Sequence, residues 1–471
     1  MFGNKTTSDM DAPNNPVSAI AGHKFDVAVI GGGVVGLAIL RHFSMAGLKC
    51  VLLERGADIL SGASKGNSAL LHTGFDAPSG SLELACIKAG YAEYLDIHEK
   101  LNLPLVRSSA LVVGWSDEEC SKLCRIVGRA HENGIGDVRL VGRAELIKLE
   151  PALSTAAREA VLVPGEHIID PWSAPLAYAH QAIAHGAAIL RAAEVTGGER
   201  IPEGWLLQCA TGTVEARIVV NAAGNFGDLV EKIARPPPFR ITPRKGQFVV
   251  FDKPASKFVN AIILPVPTER TKGVVLFRTC FGNLAIGPTA EDVEEREVAT
   301  TDSVTLERLK ARAIEMVPDL ANVGVNATYA GLRPASQFKD YVIEALSDSN
   351  WITVAGIRST GLTASLGIAR HVGRLYAEHF GELPNEGEPI WTPVLNLTEG
   401  RRRPYMDGGQ IVCHCEWVTR DEIEGALEGP LPAEDLGGLK RRTRAMMGRC
   451  QGFNCSAHIE AIIREKQRGA A

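Results

Sequence analysis

The run Gly31-Gly32-Gly33-Val34-Val35-Gly36 follows Phe25-Asp26-Val27-Ala28-Val29-Ile30, a stretch apolar enough for a buried parallel strand. Residues 34–46 then read as an apolar helix, and a second apolar run, Cys50-Val51-Leu52-Leu53, ends at Glu54. Strand, glycine-rich turn, helix and strand in that order make a βαβ unit, which commits this part of the chain to a parallel sheet. Each glycine has a separate steric task. Gly31 permits the tight turn, Gly33 lets the backbone approach a pyrophosphate, and Gly36 lets helix and strand pack closely. The helix start at Val34 offers amides and the positive end of a dipole to an anion, while Glu54 stands where a ribose hydroxyl is held. The segment reads as a dinucleotide site.

No second G-x-G-x-x-G opens a strand–helix unit, since Gly134-Ile135-Gly136 and Gly197-Gly198 lack the context. A flavoenzyme fed by a nicotinamide commonly needs two such sites, so a single one points to FAD that takes its hydride from the substrate. Two later stretches suit a flavin. Ile218-Val219-Val220-Asn221-Ala222-Ala223-Gly224 is a strand ending in small residues that allow close backbone approach. Trp351-Ile352-Thr353-Val354-Ala355-Gly356 is another, and Thr360-Gly361-Leu362-Thr363-Ala364-Ser365 leads from it into a helix whose N-terminus suits the negative side of a flavin ring. Taken alone, each is an ordinary βα turn.

A second signature lies near the C-terminus, where Cys413-His414-Cys415 is followed by Cys450-Gln451-Gly452-Phe453-Asn454-Cys455. Zinc sites use C-x2-C knuckles, and Cys413-x-Cys415 is tighter than these. A pair of redox disulfides leaves the ordered spacing unexplained. Four thiolates around a 2Fe–2S cluster fit best, although Cys450-x4-Cys455 is wider than the two-residue spacing expected of simple modules of this kind. Between the pairs, Thr419 is an N-cap with Glu422 at the capping-box position. The run Lys440-Arg441-Arg442-Thr443-Arg444 reads most simply as a solvated helix face; offsetting the cluster's charge or docking an acidic acceptor are the alternatives.

The 471 residues are 45% hydrophobic and 22% charged, values of a globular chain with room for about three domains. A net charge of −5 gives no reason to expect a nucleic-acid partner. The other cysteines, Cys50, Cys86, Cys120, Cys124, Cys209 and Cys280, are scattered in mostly apolar settings and read as packing residues, while the metal-ligand clustering of the four near the C-terminus suits a reducing cytoplasm. No apolar run reaches the ~18 residues of a membrane span, which leaves the inner membrane face as at most a peripheral location. Residues 1–24 read as a disordered tail. Residues 25–383 form the α/β body: a discontinuous Rossmann-type domain interleaved with a β-rich antiparallel domain. Strands of the latter fall at 110–113, 160–163, 246–251, 261–265, 274–277 and 284–287, with helices at 82–101 and 303–316. Residues 384–407 read as a linker, and 408–465 as a small helical iron–sulfur module.

Several separated motifs carry a family resemblance. Gly31 to Glu54, Asn67-Ser68-Ala69-Leu70-Leu71-His72-Thr73-Gly74, Ile169-Asp170-Pro171, Arg244-Lys245-Gly246-Gln247, Gly287-Pro288-Thr289, Gly331-Leu332-Arg333-Pro334 and Gly356-Ile357-Arg358-Ser359-Thr360-Gly361-Leu362-Thr363 occur in order. Residues 25–380 resemble the FAD-dependent glycerol-3-phosphate dehydrogenase and oxidase group of the D-amino-acid-oxidase-like superfamily. L-2-hydroxyglutarate dehydrogenases share the Asn-Ser…His-x-Gly pattern. Residues 408–464 resemble the bacterioferritin-associated-ferredoxin-like module appended to some anaerobic-type glycerol-3-phosphate dehydrogenases.

The resemblance implies a set of roles. FAD is expected against Gly31, Gly33, Val34, Gly36, Glu54, Asn67, Ser68, Leu70, Gly224, Ser359, Gly361, Leu362 and Thr363. Oxidation of a secondary alcohol requires a base near neutral pH, and His72 matches the histidine proposed for that task in the oxidases. Arg333 offers a planar fork to a phosphate or carboxylate, and Lys272 matches a phosphate-contacting lysine. Arg358 stands where the oxidase group has lysine, a departure that bears on oxygen reactivity. The expected substrate is a small anionic alcohol, sn-glycerol 3-phosphate first and an L-2-hydroxyacid such as L-2-hydroxyglutarate second. A redox-sensing or electron-transfer subunit is the reading from another class. Electrons are expected to leave through the cluster to a quinone or a redox protein, and oligomer formation is open.

Overall fold

A computed structural model describes residues 23–267, 273–384, 387–398 and 409–469. Lys272, nearly all of the expected tail and much of the expected linker, including Arg401-Arg402-Arg403-Pro404, lie outside those residues.

The βαβ unit forms where the glycine motif predicts it. Strand Lys24–Ile30 lies between Cys50–Leu53 and Gly212–Asn221, parallel to both. Helix Val34–Met45 connects the first two and is buried almost all round, which is why its sequence is apolar on every face. Its one buried cation, Arg41, is paired to Glu93 and bonded to Gln181. Strands Ala188–Leu190 and Trp351–Ala355 extend the sheet in parallel on its two sides, and antiparallel strands Val195–Ile201, Gly204–Cys209 and Val342–Leu346 bring it to eight.

Helix Gly361–Phe380 packs on both Val34–Met45 and Leu82–Ile97. The second of these crossings is a close backbone contact. A Cβ on Gly90 would run into the Thr363 carbonyl, and one on Gly367 into that of Cys86. Only glycine at both points lets the helices approach so nearly.

The second sheet has nine strands, with Arg244–Phe251 and Val325–Arg333 paired antiparallel along most of their length. Its pairing is antiparallel except between Ile262–Pro265 and Ala110–Gly114, a parallel pair that no hairpin could join and that the long intervening chain permits. A small antiparallel sheet of Leu70–Leu71, His167–Ile169 and Leu105–Val106 accompanies the two large ones.

The C-terminal region has a core of its own around Val412, Val418, Ile423, Leu439, Ile459 and Ile462. Ribbon Ile411–Cys413 and Val418–Thr419 leads into helix Arg420–Ala426, capped by the reciprocal Thr419–Glu422 bonds its sequence predicts. The basic run departs from its expected role. Arg441 and Arg444 are buried, and Arg442 is enclosed against Asp58 of the larger body. The helix Leu436–Thr443 turns this face inward because Asp58, carried on the loop after Cys50–Leu53, presents a counter-charge there. Residues 387–398 have no regular structure and lie along the body, with Val394 bonded to Leu101 and Ile390 to Gln181. No helix among the described residues is long and apolar enough to cross a membrane.

Candidate active site and cluster site

A cleft of about 460 Å³ opens at the C-terminal ends of the parallel strands, where open α/β sheets bind their ligands. Gly31, Gly33, Val34, Glu54, Asn67, Ser68, Gly224, Ser359, Gly361, Leu362 and Arg333 all line it. Gly36 stands behind the wall, where a Cβ would run into the Gly31 carbonyl oxygen. Gly31 has φ +112° and lies against Ala222, so the turn requires glycine both for its conformation and for space. Glu54 accepts from the Gly32 and Gly56 amides, each at 2.7 Å, which holds its carboxylate on the cleft wall. No acidic residue occupies the first turn of Val34–Met45, leaving that dipole end open to an anion.

Asn67 has a more local part than expected. Its Oδ1 accepts from Ala69 at 2.7 Å and its Nδ2 donates to Ser64 at 3.0 Å, so the side chain shapes its own loop. Leu70 and Thr363 are not on the cleft wall. Thr363 Oγ1 accepts from the His72 amide at 3.0 Å and donates to the Leu70 carbonyl at 3.2 Å, joining the helix start beside the cleft to the His72 strand. His72 is likewise not on the cleft wall and is tied by this contact to the helix whose first residues, Gly361 and Leu362, line it. Its Nδ1 lies 2.8 Å from Glu166 Oε2, and its side chain is 28% exposed where that of Glu166 is wholly enclosed.

Arg333 ends its strand on the cleft wall. Nη2 donates to the Thr289 carbonyl at 2.7 Å and Nε to that of Arg244 at 3.3 Å. Among the described residues no carboxylate pairs with it, because nearby Asp292 is already held by Arg244 at 2.6 and 3.1 Å. Burial, and then the Arg244 charge, push the guanidinium down to about 10, which leaves it cationic at neutral pH. Arg358 points its Nη2 at the Lys339 carbonyl, 2.7 Å away.

Three further wall residues were missed by the sequence reading. Asn225 is buried and its Oδ1 has no donor among the described residues. Lys65 is held below its ordinary value by burial and then by the Arg441 charge. Arg55 stacks 3.9 Å over the Phe226 ring and pairs with Glu297. Arg55 alone had a positional hint, as the neighbour of Glu54. A buried acceptor without a donor, a cation on the wall and a helix start free of acids fit the hydroxyls, amine and pyrophosphate of FAD.

Residues 26–375 match the family described as FAD dependent oxidoreductase. The chain belongs to the FAD-dependent oxidoreductases. Residues 411–465 of this flavoenzyme also match the BFD-like [2Fe-2S] binding domain, so its cofactors are FAD and a 2Fe–2S cluster. It is 30% identical to a glycerol 3-phosphate dehydrogenase of Caloramator mitchellensis, over 94% of each chain. It is 26% identical to an anaerobic glycerol-3-phosphate dehydrogenase subunit of Escherichia coli K12, covering 93% of this chain and 88% of that one. The FAD-bound L-alpha-glycerophosphate oxidase of Mycoplasma pneumoniae superposes with a TM-score of 0.73 at 27% identity, over 79% of this chain and all of the other.

The four clustered cysteines of the flavoenzyme come together as two pairs. Cys415 neighbours Cys450, and Cys413 neighbours Cys455, each pair within side-chain hydrogen-bonding reach. Among the described residues no three His, Cys, Asp or Glu side chains form a group that could hold a single metal ion. Two pairs of thiols suit a diiron cluster, which takes two protein ligands on each iron. The Asn454 amide, bonding to Cys450, holds its thiol below the ordinary value, while burial pushes Cys455 up to about 12.

Proposed function

We propose that this flavoenzyme oxidises sn-glycerol 3-phosphate to dihydroxyacetone phosphate and passes the electrons through its 2Fe–2S cluster to a quinone or a redox protein. The observation that carries the reading is Arg333, a cation set in the cleft wall whose guanidinium meets carbonyls but no carboxylate among the described residues. An anionic substrate completes that pair, and the fork suits two oxygens of one phosphate. Lys272 is assigned as a second cation for the same anion, since a phosphate dianion carries more charge than one carboxylate. The names of the relatives support glycerol 3-phosphate over other anionic alcohols.

His72 is assigned as the base that takes the hydroxyl proton. FAD, when bound, supplies the hydride acceptor. Gly31, Gly33, Val34 and Gly36 provide the turn against its pyrophosphate, and Glu54 the acceptor for its ribose. Asn67, Ser68, Gly224, Ser359, Gly361 and Leu362 are assigned to further stretches of the same wall, with Thr363 joining it to Leu70 and His72. Cys413, Cys415, Cys450 and Cys455 are assigned as the cluster ligands.

The test is anaerobic reduction of the oxidised enzyme by glycerol 3-phosphate and L-2-hydroxyglutarate, offered separately and followed in the visible spectrum. Rapid bleaching by the phosphate is expected. Bleaching by the dicarboxylate alone makes this an L-2-hydroxyacid dehydrogenase and leaves the flavin chemistry standing. Bleaching by neither, with FAD bound, favours a redox-sensing or electron-transfer role.

A further inference from the structure

Glu166 lies 94 residues from His72 in the chain and shares no motif with it, yet the two are brought together by sheet register. Leu71 pairs with His167 antiparallel, so His72 and Glu166 fall beside each other at the next position. Glu166 is wholly buried, and both of its oxygens are engaged. Oε1 accepts from the Thr73 amide at 2.7 Å and from the Thr73 hydroxyl at 2.9 Å, while Oε2 faces His72 Nδ1 at 2.8 Å. The Thr73 hydroxyl accepts in turn from the Phe75 amide, which directs its own proton to Glu166. On the other side of the carboxylate, Tyr91 donates its hydroxyl to the Gly165 carbonyl at 2.7 Å and steadies the backbone. Every contact here uses Glu166 as an acceptor. A carboxylate facing Nδ1 selects the neutral imidazole that carries its proton on Nδ1, and the basic lone pair is then on Nε2.

We propose that Glu166 is the positioning residue for the His72 base. It selects the tautomer whose Nε2 receives the substrate's hydroxyl proton, and it stabilises the imidazolium that forms. In that step the substrate C–H bond breaks with its electron pair leaving as hydride to FAD, the O–H bond breaks with its proton going to Nε2, and the C=O bond forms. The substrate loses two electrons and the flavin gains them. The proposal rests on the assignment of His72 as base.

Glu166→Gln tests it with little change of shape. The glutamine oxygen still accepts from Thr73, but its amide then donates to Nδ1 and drives the ring proton to Nε2, where it blocks the base. With whichever substrate bleaches the flavin, single-turnover reduction of the FAD-loaded variant should slow roughly 10²–10⁴-fold at unchanged FAD content and substrate dissociation constant. Reduction at wild-type speed overturns the role. ¹⁵N spectra of histidine-labelled wild-type enzyme at alkaline pH supply a readout independent of turnover, with His72→Gln identifying the resonances. The His72 ring should be protonated at Nδ1 and bare at Nε2. Protonation at Nε2 overturns the proposal even if Glu166→Gln fails to fold. His72→Gln separates the two ideas: if it reduces at wild-type speed the base assignment falls and takes this role with it, whereas a slow His72→Gln beside a fast Glu166→Gln sinks only the role of Glu166.

Discussion

Arg442 of the iron–sulfur module and Asp58 of the FAD-binding body form a bidentate ion pair at 2.6 and 3.0 Å, with 8% and 0% of their side chains exposed. Arg191 approaches the same carboxylate at 3.8 Å and also pairs with Glu434 at 2.7 Å, while Arg441 donates to the Ile59 carbonyl. The Arg442–Asp58 pair that holds the module is thus enclosed, while Arg191–Glu434 lies at the exposed rim. Removing one member of a buried pair strands the other, at a cost of about 3–5 kcal/mol. Asp58→Ala should therefore loosen the module and speed hydrogen exchange in helix Leu436–Thr443, while exchange in the strands of the parallel sheet stays slow. Unchanged exchange in that helix would show that the apolar contacts alone dock it.

Glycine is required at Gly36 for space. Gly36→Ala sets a methyl group against the Gly31 carbonyl, and neither backbone can retreat without opening the turn. Overpacking of this kind costs about 1–3 kcal/mol, and its expected sign is FAD lost on gel filtration. Gly128 is the contrast, being exposed in helix Asp117–Glu132 with nothing among the described residues within 4 Å of where a Cβ would stand. Gly128→Ala should raise stability by about 0.5–1 kcal/mol in urea titration. Full FAD retention by Gly36→Ala would mean that the turn adapts.

Arg333→Ala should raise the KM for the anionic substrate about 10- to 100-fold, the range of a charge-assisted hydrogen bond. Arg333→Lys should recover only part of that, because an ammonium is a point charge without the planar fork. Lys272→Ala should do less damage than Arg333→Ala. Equal KM values for wild type and Arg333→Ala in steady-state assays would remove Arg333 from the substrate site.

The cluster assignment is tested by metal content. Cys415→Ser or Cys450→Ser takes one thiolate from the same expected iron and should lose iron and acid-labile sulfide while FAD stays stoichiometric. Stoichiometric zinc in anaerobically prepared, iron-free wild-type protein would sink the assignment of these four residues.

Much of the cleft was legible in the chain because its signals are local. Gly31, Gly33, Gly36 and Glu54 lie within one βαβ unit, where strand and helix periodicity place each residue without reference to the rest of the fold. The capping box at Thr419 and Glu422 is legible for the same reason, its partners being three residues apart. Arg441 and Arg442 were not. A basic run on a short helix has the composition of a solvated face, and only Asp58, 384 residues before Arg442, turns it inward.

By itself the sequence determined the parallel sheet with its dinucleotide turn and the two short cysteine motifs, since each is written in short-range spacing; that Cys415 meets Cys450 and Cys413 meets Cys455 was left to the fold. The tertiary structure alone decided which charges meet: Glu166 against His72 Nδ1, Arg333 against carbonyls rather than Asp292, and Arg442 against Asp58. Those pairings join segments that no periodicity links. They follow from strand register and helix docking, and burial is what makes each of them matter, because a charge withdrawn from water must find its partner within the fold.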